Sequence, residues 1–274
     1  IQMNYFCPKL FHNCNYSHNF PESFITIAIL LCGLIIFASL AILLLFNKLE
    51  KSKILKQHIL ICFLNIVQAM LHIPFYIMMQ VEFDYDTVPA IISPLLNRLQ
   101  MLFLVLTQLF YIKTWTNVLN PFNYPKTTKL HNRIFLCFEF LVISISVASI
   151  LTIIFSKTTS NNYNTIYDAF TGLVASLSIL IVLIYGVIGG LAIKQLIKYG
   201  NRSTIILFLS IFTILLIMNI LRFFFLFYKQ FFGHKIDYLL FRLFAYVIPD
   251  FMCAAVILVT QINLVKNQQR KGGG

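Results

Sequence analysis

The sequence predicts an all-α membrane protein, a bundle of seven transmembrane helices with the amino terminus outside and the carboxy terminus cytoplasmic. Three observations predict it. Seven apolar stretches, 23–47, 58–79, 90–112, 133–155, 166–192, 204–228 and 238–262, each offer the roughly 20 residues a helix needs to cross a bilayer. Hydrophobic residues are 59% of the chain and charged residues 11%, and the mean hydropathy is +0.83; a soluble domain of this size could not keep so much apolar surface out of water. The loops also sort by charge. Fourteen of the 21 Lys and Arg fall at 48–57, 113–133, 193–203 and 263–274. Four fall at 1–22, 80–89, 156–165 and 229–237. The positive-inside rule makes the first set cytoplasmic. The net charge of +12 is then a juxtamembrane feature facing anionic lipid, not a nucleic-acid footprint.

Residues 1–22 form an outer amino-terminal segment. Cys7 and Cys14 are the cysteines outside the spans, and their spacing permits a small disulfide loop; two unpaired thiols are the alternative. Asn15-Tyr16-Ser17 is a glycosylation sequon on the side where glycosylation occurs, whereas Asn201-Arg202-Ser203 is cytoplasmic and reads as chance. The chain begins with Ile1, so a preceding Met or short leader is expected. The first apolar run is too long for a signal-peptide core and stays as an anchor.

The 23–262 domain follows. Span two contains His72 and Pro74, and span three Pro94 and Arg98. Span four holds Glu139 near its cytoplasmic end, and span five carries Asp168 at its outer end. Span six contains Arg222, and span seven Arg242, Pro249 and Asp250. Cys32, Cys62, Cys137 and Cys253 sit singly in different spans and read as packing residues. The tail is 263–274, with 272–274 resembling a linker.

Intramembrane charge is expensive and usually has a use. Arg98, Arg222 and Arg242 fall at similar depth in the outer part of the bilayer, with Asp250 about two turns deeper than Arg242. One reading is an outward-facing cationic vestibule between spans three, six and seven that binds an anionic or polar small molecule. The other is that Arg222 or Arg242 pairs with Asp250 while the rest snorkel to headgroups. Pro74 and Pro249 are candidate hinges, since each removes a backbone hydrogen bond. Pro249 matters most, because Asp250 beside it can reach backbone groups that the kink frees.

Enzyme signatures are missing: no phosphate-binding loop, HExxH, CxxC or GxSxG occurs. Glu139 and Asp250 lie at different depths, one intramembrane histidine is a poor metal site, and span seven has no lysine for a retinal Schiff base. No enzyme, metal or cofactor is expected.

Several segments resemble seven-transmembrane G-protein-coupled-receptor-like proteins of the chemosensory, serpentine type. Leu64-Asn65 followed by Pro74-Phe75 is similar to that family's span-two pattern, with Asn65 where the pattern has an Asp. Lys113-Thr114-Trp115, with Pro121 and Tyr124 downstream, matches the spacing of the Asp-Arg-Tyr region, although the three signature residues themselves are replaced. Ile248-Pro249-Asp250-Phe251-Met252 keeps only the Pro of the span-seven motif. Leu221-Arg222-Phe223 and the Pro of span seven are more weakly similar to the plant tobamovirus-multiplication family, which has an acidic residue where this chain has Tyr246. The first resemblance implies a receptor for an extracellular small molecule, with the plasma membrane as the expected site and an endomembrane as the alternative. Lys113, Thr114, Trp115, Pro121 and Tyr124 would then couple to a cytoplasmic signalling protein. A membrane scaffold or oligomeric subunit, packed through 28 Phe and 13 Tyr, and a channel or transporter are the competing classes.

Overall fold

The computed structural model describes residues 22–46, 53–78, 88–119, 125–155, parts of 172–197, 202–232, 240–241 and 243–272. These residues are helical, with no strand among them. Helix α1 spans Glu22–Phe46, α2 Lys53–Met78, α3 Val88–Leu119 and α4 Pro125–Phe155. In the fifth apolar stretch α5 spans Ser178–Val187. Helix α6 spans Arg202–Phe232, and a five-residue π-helical turn, Leu243–Val247, leads into α7, Ile248–Gly272.

Among the described residues five helices are long and apolar enough to cross a membrane: Ile25–Phe46, Leu55–Ile77, Leu95–Thr114, Ile205–Tyr228 and Leu243–Asn263. Helix α4 covers the fourth stretch expected from the sequence and begins before it, and α5 falls within the fifth. Several helices overrun their apolar stretches. Helix α3 continues to Leu119 and α4 opens at Pro125, so much of the loop expected at 113–132 is helix, and the tail expected from 263 continues α7. Hydropathy marks where a chain leaves hydrocarbon, whereas backbone hydrogen bonding continues into the headgroups. Pro125 suits a first helical position, where its missing N–H is one the helix would not have used.

Side chains sort inversely to those of a soluble protein. On α1, Leu30, Leu34, Phe37 and Leu44 recur at helical spacing and are all exposed, whereas Ala28, Cys32, Ser39 and Ile42 on the other face are buried. Such an outward apolar face suits lipid, which wets it without cost.

Polar side chains point inward instead. On α2 these are His58, Asn65, Gln68 and His72, and on α3 Asn97, Gln100, Thr107, Gln108 and Thr114. Helix α6 contributes Asn219 and Arg222, and α7 contributes Asp250, Thr260 and Gln261; none of these side chains is more than 5% exposed. Cross-helix bonds use this interior: Asn219 Nδ2 donates to Gln108 Oε1 at 2.9 Å, joining α6 to α3. Tyr111 donates to Thr260 at 3.1 Å, joining α3 to α7. Between them lies an apolar core that includes Leu104, Leu215, Leu226, Phe241, Cys253 and Ile257.

Candidate functional site: a buried charge cluster

Pro249 is where the cluster begins. In a regular helix the N–H of residue 249 would donate to the carbonyl of residue 245. Proline has no N–H, so that bond cannot form, and the chain runs through Leu243–Val247 as a π-turn, a local widening that often marks a functional position. The carbonyl of Ala245 accepts from Arg222 Nε instead, at 3.1 Å. The sequence led us to expect Asp250 at the groups the proline frees. The guanidinium of α6 takes that place, because a long cation can reach across the helix interface to a carbonyl that a carboxylate could not accept from.

Arg222 also donates through a terminal nitrogen to Asp250 Oδ1. The other carboxylate oxygen, Oδ2, lies 3.0 Å from His72 Nε2 on α2. Asp250 therefore ties α7 to α6 through one oxygen and to α2 through the other. All three side chains are buried. Burying an ion pair is strongly unfavourable unless the remaining valences are filled, and here both carboxylate oxygens are. The His72 ring stacks on Tyr76, with centroids 5.5 Å apart, and on Phe251, at 6.1 Å.

Beside the cluster a closed crevice runs between α1, α2 and α7, lined by Cys32, Asn65, Gln68, His72, Asp250 and Phe251. Both side-chain polar atoms of Asn65, and Gln68 Oε1, are buried without a hydrogen-bond partner. Arg222 Nη1 and Gln108 Nε2 are likewise buried donors without partners. The bond from Asn219 to Gln108 sits one turn along α6 from Arg222. An ordinary interior leaves few such atoms unmatched.

The expected vestibule residues divide. Arg222 and Asp250 meet, as the pairing alternative required. Arg98 is buried on α3, and Arg242 lies outside the described residues. Pro74 sits inside an α2 that remains helical through it, and Pro249 lies in the first turn of α7. Sequence reasoning missed His72, set aside as a lone histidine, and Ala245, which contributes only backbone.

Among the proposed coupling residues, Lys113 Nζ donates to Glu139 Oε1 at 2.7 Å and also lies 5.4 Å from the Phe110 ring centroid. Thr114 is buried and donates to the carbonyl of Phe110 within its own helix. Trp115 belongs to α3, but its side chain, Pro121 and Tyr124 lie outside the described residues. So do Cys7, Cys14 and Asn15. Among the described residues no three His, Cys, Asp or Glu side chains are grouped to hold a metal ion.

No protein-family model matches the chain, and comparison with curated proteins and with solved structures gives no match either.

Proposed function

We propose that the protein is a receptor-like seven-helix membrane protein whose resting packing is latched by Arg222, Asp250 and His72. The observation that carries this reading is that one buried carboxylate holds three helices at a single point. A contact of this kind has two discrete states, made and broken, and a two-state element is what signalling across a membrane needs. The five long apolar helices, with α4 and α5 between them, support the seven-span plan. The charge asymmetry of the loops supports an outer amino terminus, and the plasma membrane is the membrane that an extracellular ligand reaches.

The ligand is a small polar or anionic molecule rich in hydrogen-bond acceptors. Arg222 Nη1 and Gln108 Nε2 are buried donors without partners, and an acceptor-bearing ligand is what such groups lack. It competes with Asp250 for Arg222, so α6 loosens from α7. The inner ends of α3, α4 and α6, where Lys113 and Glu139 lie, then carry the change to a cytoplasmic partner. Native mass spectrometry of the chain purified in mild detergent tests this reading. The expected result is a small acceptor-bearing molecule that copurifies with the wild type and is lost from Arg222→Gln. Retention of only lipid or another protein chain, equally in both, favours the scaffold class instead.

A further inference from the structure

We propose that the basic end of the bundle, where α2 begins and α7 ends, binds a membrane lipid whose headgroup carries several phosphates. The site needs only that these helices cross a bilayer, and does not rest on the receptor-like reading.

Counted along the sequence, the cations outside the apolar stretches belong to loops, where their spacing means nothing. In the folded chain several of them belong to helices. Helix α2 opens at Lys53, with Lys56 one turn on, and α7 runs past its apolar stretch through Lys266 and Arg270. Positions three or four apart share a helix face, so each helix carries one basic pair of positions. The two pairs stand at one level of the bundle. Leu55, next to Lys56, and Val265, next to Lys266, are buried in the same apolar cluster as Phe46 from the end of α1. That cluster fixes α2 and α7 together where their basic positions begin.

Depth selects the partner. The apolar spans are bounded at this end by Leu55 on α2 and Asn263 on α7. At 1.5 Å per residue, Lys53 stands about 3 Å outside its span, Lys266 about 4.5 Å and Arg270 about 10.5 Å. Headgroups add roughly 5–8 Å to each side of the hydrocarbon. Most of these positions therefore lie at the depth of lipid phosphates, a layer that a soluble polyanion must first enter. Lys56, at the edge of the span, is exposed.

Charge selects the headgroup. No Asp or Glu stands in the first turn of α2, and none follows Asp250 in α7. Lys48, Glu50 and Lys51, between α1 and α2, lie outside the described residues and add one further net positive charge. The anion that balances these cations must come from outside the chain. A headgroup with one net charge answers one cation. A headgroup with several phosphates can engage both helices through charge-assisted hydrogen bonds, and its second contact forms at high effective concentration. On α4, Lys129 and Arg133 also recur at helical spacing, but on one helix alone, and Lys113 of the neighbouring α3 is already paired with Glu139. The bound headgroup joins α2 to α7 about 24 Å along α7 from the point where His72 and Asp250 join the same two helices.

The probe is a short-chain phosphatidylinositol bisphosphate, added to the full chain in mild detergent and counted by native mass spectrometry. Short-chain phosphatidylserine and soluble inositol trisphosphate are titrated alongside. The expected result is one bisphosphate lipid per chain, held at least about tenfold more tightly than either comparison compound. A Lys or Arg near an anionic surface contributes about fivefold. Lys53→Gln with Lys56→Gln, or Lys266→Gln with Arg270→Gln, should therefore weaken binding roughly 25-fold. Lys129→Gln with Arg133→Gln removes the same charge from α4 and should change it less than about twofold. Lys53→Arg with Lys56→Arg keeps the charge and should bind as the wild type does, and thermal unfolding checks that every variant is folded. Equal losses from the α2, α7 and α4 variants would reduce the effect to diffuse surface charge. Phosphatidylserine binding as tightly would remove the multiple-phosphate headgroup, and inositol trisphosphate binding as tightly would make a free phosphate compound the ligand. Each of these results overturns the proposal, and none bears on the copurification experiment with Arg222→Gln.

Discussion

Arg222 and Asp250, 28 residues apart in sequence, are held together by a proline that belongs to neither. Pro249 leaves the Ala245 carbonyl without its helical donor, Arg222 Nε fills the vacancy, and the same guanidinium is thereby aimed at Asp250. A backbone defect on one helix positions a side chain of the next.

The first prediction follows from the cost of an uncompensated buried charge. Asp250→Asn should lower the stability of the folded bundle by about 3–5 kcal/mol, the range for removing one partner of a buried pair. Arg222→Gln in the Asp250→Asn background should restore part of that loss. Thermal unfolding of the four proteins in one mild detergent gives the double-mutant cycle. Additive, near-neutral effects would mean that the two side chains do not depend on each other.

A second prediction isolates the proline. Removing a proline from a helix interior ordinarily gains up to about 3 kcal/mol. Pro249→Ala should gain less, because the restored N–H takes the Ala245 carbonyl away from Arg222. In the Arg222→Gln background that competition is gone, so Pro249→Ala should stabilise by more than it does in the wild type. Equal gains in both backgrounds would show that the carbonyl is not shared.

Parts of this site were legible in the sequence for a physical reason. Charges inside a span are rare because they are costly, so Arg222 and Asp250 stood out, and their depths could be read from residue counting. The partner on α2 did not stand out, since a single histidine among apolar residues reads as packing. The polar positions 58, 65 and 72 recur at heptad spacing on one face of α2, and that was the available signal. Ala245 has no side chain to announce it, yet subtracting four from Pro249 would have located the open carbonyl. The π-turn leaves no trace in side-chain periodicity. Helix ends were misplaced wherever polar helix continued beyond hydrocarbon, as at Leu119 and Pro125.

A third prediction concerns the ion pair between α3 and α4. Lys113 and Glu139 are 18% and 12% exposed, between a surface pair worth under about 1 kcal/mol and a fully buried one. Glu139→Gln should cost about 1–3 kcal/mol. In a double-mutant cycle with Lys113→Gln, the two losses should sum to more than the double variant shows. High salt should reduce the coupling, since part of the pair is within reach of screening ions. A coupling of zero would show that this ion pair does not help to join α3 to α4.

The close approach of α5 and α6 gives a fourth. A Cβ on Gly189, just beyond α5, would collide with the ring of Phe212 on α6, which itself packs against Tyr185 and Phe208. Gly189→Ala should therefore destabilise by about 1–3 kcal/mol, the usual cost of overpacking. Trimming the ring with Phe212→Leu should recover part of it. Gly190→Ala is the control, because a Cβ there meets nothing within 4 Å, and it should be neutral or slightly stabilising. Equal effects at both glycines would assign the cost to backbone conformation rather than to the ring.

Orientation is the prediction on which the proposed direction of signalling depends. Basic residues favour the cytoplasmic face because they resist translocation, and the effect counts Lys and Arg in short loops rather than net charge. The distribution here, fourteen against four, is steep, and no loop is long enough to escape the rule. Residue 128 should therefore face the cytoplasm and residue 160 the outside. Single cysteines at Thr128 and Ser160, in a background lacking the native thiols, can be challenged on intact cells with a reagent that does not cross membranes. Labelling at 160 alone is expected, with 128 becoming reactive once the cells are opened. Labelling at 128 alone would invert the bundle, placing the Lys113–Glu139 end outside and the acceptor-seeking donors of Arg222 and Gln108 toward the cytoplasm. An extracellular ligand could then not be the one that releases Arg222.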